Sequence, residues 1–158
     1  MAPAGTPIWQ RLLAALAYLL PFSDAVRFGG PLFQQFPLLS LLALPALPLF
    51  RLEELIPFGV GGLVIFMALY LAVVRNARVP YLIRFHVLQA ILIDIVLVLI
   101  DLAFQVFHIS PMGGFVERTL ANTVFLGVLV LALFGLVQSL RGQEADIPTV
   151  SDAVRMQL

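Results

Sequence analysis

The sequence predicts an all-α membrane protein, with four transmembrane helices plus a proline-rich segment that is interfacial or re-entrant. Three observations predict it. Hydrophobic residues make up 61% of the 158 residues and charged residues only 11%, with a mean hydropathy of +1.05. A soluble domain carries about a quarter of its residues charged. Several apolar runs approach the ~20 residues that a spanning helix needs. The arginines also alternate between the two sides that four crossings define, as set out below.

The first span runs from about residue 8 to residue 26. Arg11 lies one turn in, and Asp24 and Arg27 sit at the far end, three apart, where they pair on one helix face. Trp9 and Tyr18 read as interface anchors. Pro21 predicts a kink. No basic residue precedes Ile8 and no small-residue cleavage site follows the apolar stretch, so the segment reads as an uncleaved span rather than a signal peptide.

Residues 28–56 hold Pro31, Pro37, Pro45 and Pro48, with Pro57 just beyond. The longest proline-free apolar run, Leu38 to Leu44, is too short to span. Lipid-exposed backbone must satisfy its own hydrogen bonds, so this segment lies at the interface or against other helices. An interfacial connector, a re-entrant element lining a path and a fifth span are the alternatives.

The second span covers 57–74 and opens with Pro57, suited to a first helical turn. The third covers 85–107, and the fourth covers 119–140 between Arg118 and Arg141. In the fourth, Gly135 and Ser139 form a small-xxx-small pair suited to close helix packing. Residues 1–141 thus form a single bundle, and 142–158 a polar cytosolic tail, helical at most from Ser151. With four crossings, Arg11, Arg75, Arg78, Arg84, Arg141 and Arg155 fall on one side, and Arg27, Arg51 and Arg118 on the other. The richer side is cytoplasmic, and both termini lie there.

Composition also excludes function classes. Net charge is zero and no basic run offers a nucleic-acid surface. Without cysteine there are no disulfides, thiolate metal sites or thiol nucleophiles. No zincin, phosphate-loop, catalytic-triad or zinc-spacing motif is present, so neither an enzyme nor a cofactor is predicted. His86 and His108 lie about 33 Å apart along a helix and cannot share a metal. His86 reads as an interface or hydrogen-bonding residue.

The third span carries the chemistry. At about 100° per residue, with His86 at zero, Asp94 falls near 80°, Asp101 near 60°, Gln105 near 100° and His108 near 40°. Gln89 lies off this stripe, at about −60°. Two mid-span aspartates cost about 5–7 kcal/mol on the insertion scale, and sixteen Leu, Ile, Val and Phe residues return about 5–10. The helix can therefore insert with its polar stripe facing protein or water. The stripe is either a path or groove for a polar client, or intramembrane glue that bonds Asn122, Gln138, Ser139 or an arginine. Arg75, Arg78 and Arg84 fix topology, or contact lipid phosphates or a partner's acidic surface.

Several stretches together resemble the Tic-twenty (Tic20) family, whose namesake is a membrane subunit of the chloroplast inner-envelope protein translocon. They are W-x-R-L-x-A-A-L-x-Y-L-L-P from Trp9 to Pro21, Phe36–Pro37, the proline-rich region up to Pro57–Phe58, VVRN from Val73 to Asn76, and IRFHVLQAILIDI from Ile83 to Ile95. The likeness covers most of residues 8–141. It implies four helices, both termini on the stromal or cytosolic side, and a role in moving or inserting proteins within a larger complex. Arg75, Asn76, Arg84, Phe85, His86, Gln89 and Asp94 match the family's central motif. No transit peptide is evident, which suits a cyanobacterial-type member in a plasma or thylakoid membrane.

The leading expectation is a non-enzymatic, multi-pass subunit of a protein-translocation or membrane-assembly complex. Its partners would be membrane lipid and other subunits or a translocating polypeptide, with a homo-oligomer left open. The alternatives are a small-solute or ion transporter coupled through Asp94 and Asp101, and a structural or assembly subunit of a photosynthetic complex.

Overall fold

The computed structural model describes residues 5–158. The uncharged start of the chain, residues 1–4, lies outside that part. All regular elements among the described residues are helical: α1 (Ile8–Leu16), α2 (Leu19–Val26), α3 (Gly30–Gln35), α4 (Leu47–Glu54), α5 (Gly61–Leu69), α6 (Tyr81–Val106), α7 (Phe115–Leu140) and α8 (Val150–Gln157).

Three helical stretches are long and apolar enough to cross a membrane, against the four that the sequence predicts. They are Ile8–Gln35, Tyr81–Val106 and Phe115–Leu140. The expected span at 57–74 falls short because its opening residues do not join it. Pro57–Gly59 form a separate 3-10 turn in which Phe58 takes a left-handed φ of 67°, and Gly59 follows at 68°. Helix starts only at Gly61 and ends in a π turn over Tyr70–Val74. At 1.5 Å per residue this piece is ~21 Å long, against a hydrocarbon core of ~30 Å.

The first span, by contrast, is longer than expected. A 3-10 turn at Arg27–Gly29 carries α2 into α3, so residues 28–35 extend the helical path rather than joining the interfacial segment. Phe28 packs edge-on against Phe104, and Phe33 against Phe125. The kink expected from Pro21 lies at Ala17–Tyr18, where the backbone tightens to bonds from Ala17 N to Ala14 O and from Tyr18 N to Ala15 O. Proline withdraws the donor to the carbonyl four residues earlier and crowds it. That carbonyl belongs to Ala17, so the break sits one turn upstream of its cause.

Pro37–Ala46 winds as 3-10 helix. Phe36 before it is held extended by the following proline. Leu38, Leu41 and Leu44 of this segment are exposed, and Ala46 is buried against the bundle. α7 starts four residues before the expected 119, because the Glu117 carboxylate accepts from the backbone N–H of Gly114 and of Ser110 and so caps it.

The contacts fix how the long helices run. Tyr18 meets His86 and Phe28 meets Phe104, so α1–α3 runs parallel to α6. Tyr18 also meets Gly135, and Gly29 meets Phe125, so it runs antiparallel to α7. Residues 36–80 must therefore return from the level of Phe104 to that of His86. That return spans ~27 Å of α6 axis.

Two apolar clusters hold the bundle. Phe28, Leu97, Phe104, Ala121 and Phe125 centre one between α1–α3, α6 and α7. Leu20, Val74, Ile83, Phe85, Leu88, Ile91 and Val154 form the other, where α8 packs onto the start of α6. The tail is thus folded against the bundle, with Ala145, Ser151 and Val154 fully buried.

Candidate functional site

The polar residues of the third span separate into three environments along α6. At its start, His86 and Gln89 are fully buried with Tyr18. The carbonyl of Gln143 can only accept, so His86 donates through Nε2–H to it at 2.9 Å. The His86 Nδ1 then accepts from the Tyr18 hydroxyl at 2.7 Å, whose hydrogen is shared with Gln89 Oε1 at 3.0 Å. The Gln89 amide donates to the Ala145 carbonyl at 2.8 Å and faces Ser151 Oγ at 3.4 Å. Ser151 closes the knot, accepting from Ile147 N–H and donating to Ala145 O. These side chains clamp residues 143–151 to α6 and to Tyr18 at the junction of α1 and α2. The helical wheel puts Gln89 apart from His86, yet both meet the same partners because Tyr18 and the tail fill the space between their directions.

Further along, Asp94 lines a cleft of about 1050 Å³ bounded by α2, α4, the start of α5 and the middle of α6. Leu20, Phe50, Phe66, Ile95 and Val98 give it apolar walls, and Asp24, Arg27, Glu53 and Asp94 give it charge. Arg27 Nη2 lies 3.4 Å from Asp24 Oδ1, the pair that the sequence spacing predicts, and 3.9 Å from Glu53 Oε2. The Asp94 carboxyl is hydrogen-bonded to that of Asp24, with Glu53 and Arg27 as further charged neighbours. Asp94 is only 6% exposed, and its Oδ1 has no hydrogen-bond partner among the described residues. On the α4 side, burial first and the Asp24 charge second hold Glu53 above the usual carboxylate range, with Arg27 acting the other way.

Gly61 shapes this cleft. A Cβ there would run into the backbone of Glu53, so only glycine lets α5 approach the end of α4 this closely.

A smaller cavity of about 120 Å³ shares Asp24, Arg27 and Val98 with the cleft and adds Asp101. Asp101 Oδ2 accepts from Gln105 Nε2 one turn on, at 2.7 Å. His108 lies past the helix end in left-handed conformation, exposed. Of the glue partners named from the sequence, Asn122, Gln138 and Ser139 make no side-chain hydrogen bond to α6 among the described residues, while Arg27 lies beside Asp94. Asn122 Oδ1 and Gln138 Oε1 are buried without a partner among the described residues, and Ser139 bonds the Leu136 carbonyl of its own helix.

Arg84 donates to the Val74 carbonyl at 2.9 Å and closes the hairpin between α5 and α6. Arg75 and Arg78 are exposed on that hairpin. Among the described residues no group of three His, Cys, Asp or Glu is placed to hold a metal ion. Glu53 and the tail are the parts of this architecture that the sequence pattern did not single out. Tyr18 was legible only as an interface anchor.

The family model described as "Chloroplast import apparatus Tic20-like" matches residues 4–154. A Tic20 family protein of Synechocystis is 45% identical over 151 residues, covering 94% of this chain and 92% of that relative. Protein TIC 20-II, chloroplastic, of Arabidopsis thaliana is 33% identical over 156 residues, covering 97% of this chain and 74% of the relative. Protein TIC 20-v, chloroplastic, of the same plant is 34% identical over 152 residues, with 94% and 71% covered. The chain belongs to the Tic20 family, as a cyanobacterial-type member.

Proposed function

We propose that the chain is a non-enzymatic, four-crossing membrane subunit of a complex that moves or inserts polypeptides, and that the cleft between α2, α4, α5 and α6 faces the client. The single observation that carries this reading is the cleft itself. It is a large space at the middle of a membrane-spanning helix, apolar on most of its wall and charged at Asp24, Arg27, Glu53 and Asp94. A passing polypeptide presents both kinds of group in succession, and such a wall can meet both. Membership of a family described as a chloroplast import apparatus supports the same class of work.

Parity supports the four-crossing arrangement. Two parallel helices in one chain require a return between them, and Gly61–Val74 is the apolar helix available for it. Its shortfall in length is met by the turn at Pro57–Gly59 and by local thinning of the bilayer. Residues 1–141 then form one bundle, with the N-terminus, the 75–80 hairpin and the 142–158 tail on one side. Arginine counting makes that side the cytosol.

The test is a photo-crosslinking residue at Val98, in the cleft wall, in native membranes synthesising a secreted or membrane protein. Adducts with nascent chains are expected. Their absence at Val98, with adducts elsewhere on the chain, would remove the client role of the cleft.

One observation favours a second reading. Three carboxylates around a single arginine also suit ion-coupled transport. Flux through proteoliposomes that is abolished by Asp94→Asn, in a folded protein, would favour it over translocation.

A further inference from the structure

We propose that the cleft holds one cationic side chain, a lysine or arginine carried on an otherwise apolar segment of a membrane-inserted polypeptide, with Asp94 and Asp24 as its acceptors. The inference rests on the client reading above and names what the client must carry.

Charge bookkeeping within the cleft comes first. Asp24, Glu53 and Asp94 face one another, and one guanidinium serves them. Arg27 Nη2 reaches Asp24 and Glu53 at 3.4 and 3.9 Å, while Asp94 Oδ1 has no donor among the described residues. The other arginine on the rim, Arg51, pairs with Glu54 at 3.5 Å with its side chain 82% exposed, so it turns away from the centre. The cleft is therefore one donor short at its most buried carboxylate. Asp94 bonds only the carboxyl of Asp24, another acid, and its Oδ1 is left without a donor; acidic groups at mid-span pair with other charges or line a substrate path.

The shape then narrows the donor. Phe66, Ile95, Val98 and Leu99 line the cleft beside Asp94, and such walls suit an aliphatic stem with a charged head at its end. At about 1050 Å³ the space far exceeds a bare ion and suits a chain segment. Among the described residues no group of three His, Cys, Asp or Glu is placed to hold a metal ion. Arg27, its side chain 56% exposed, has room to swing outward as the incoming group takes its place between Asp24 and Asp94.

The experiment uses the full chain in lipid nanodiscs, with a photo-crosslinking residue at Val98. The probes are two apolar helical peptides of about 20 residues, identical except for a central lysine in one and norleucine in the other. The lysine peptide is expected to give about tenfold more adduct, equivalent to ~1.4 kcal/mol. Asp94→Asn and Asp24→Asn, both nearly isosteric, should each erase most of that preference, and Asp152→Asn in the tail should leave it intact. Equal yields from the two peptides, or a lysine preference that survives both substitutions, would overturn the proposal. Nascent chains that still reach Val98 without any lysine preference would overturn this inference and leave the translocation reading standing. A lysine preference with no nascent-chain adducts in native membranes would support this inference and remove that reading.

Discussion

The ring of Tyr18 lies against the backbone of Gly135, in space that a Cβ at position 135 would occupy. The ring cannot swing aside, because it is only 2% exposed and its hydroxyl is held between His86 and Gln89. Gly135→Ala should therefore destabilise the bundle by about 1–3 kcal/mol, the usual cost of overpacking. Unfolding by SDS titration, followed by circular dichroism, measures it. Because the two residues touch, Tyr18→Leu combined with Gly135→Ala should cost less than the sum of the single changes. Strict additivity would mean that the ring and the glycine are not in contact.

The clamp on the tail gives a second prediction. Gln89→Leu removes two hydrogen bonds, the amide's to the Ala145 carbonyl and the one its Oε1 accepts from Tyr18, while Ser151 still donates to that carbonyl and His86 still holds the hydroxyl. The cost should be about 1–3 kcal/mol, and it falls mainly on attachment of residues 143–158. Trypsin should then cut after Arg141 faster than in the unaltered protein, with α6 and α7 still protected. An unchanged cutting rate would show that the apolar contacts of Val154 alone hold the tail.

Both contacts show where the sequence was legible and where it was not. α6 and α7 could be read because their apolar runs exceed a bilayer's width. The piece at 57–74 has the same composition, but Pro57, Phe58 and Gly59 take a turn that hydropathy does not register. Periodicity placed Asp94 and Asp101 on one side of α6, and they line adjoining cavities there. What stood opposite each polar residue was not legible, since a helical wheel gives direction and not the neighbour. The tail's polarity hid its packing, although Val150, Val154 and Leu158 recur every four residues and that spacing was available as a signal. Gly135 was legible as a small residue, but not as the seat of one particular ring.

Glu53 predicts a pH dependence. Its carboxyl is held above the ordinary value by burial and by Asp24, against the opposing effect of Arg27, and Asp94 is the other ionisable group facing it. A group whose folded pKa is raised contributes stability that is fully present below the unfolded value and is lost as pH rises through the folded value. The contact between α2 and α4 should therefore tighten as pH falls from neutral toward the mildly acidic range. Thermal unfolding in detergent should show a higher midpoint at the lower pH, and Glu53→Gln should flatten part of that rise. A Glu53→Gln variant with the same slope as the unaltered protein would show that Glu53 does not carry the effect.

The topology can be decided because the chain contains no cysteine, so each introduced thiol is unique. Tyr18 beside His86 and Phe28 beside Phe104 make α1–α3 and α6 parallel. If both cross the bilayer, residues 36–80 must cross it in the opposite sense, by way of Gly61–Val74. Ser40→Cys and Ser110→Cys should then react with an impermeant maleimide from one side of sealed vesicles. Asn76→Cys and Gln157→Cys should react from the other side, since the 75–80 hairpin and α8 both pack at the start of α6. Labelling of positions 40 and 76 from the same side would mean that the short helix does not cross. The parallel pairing of α1–α3 with α6 would then require one of them to stop short of the far leaflet, and the cleft at Asp94 would open to water rather than lie at the bilayer's middle.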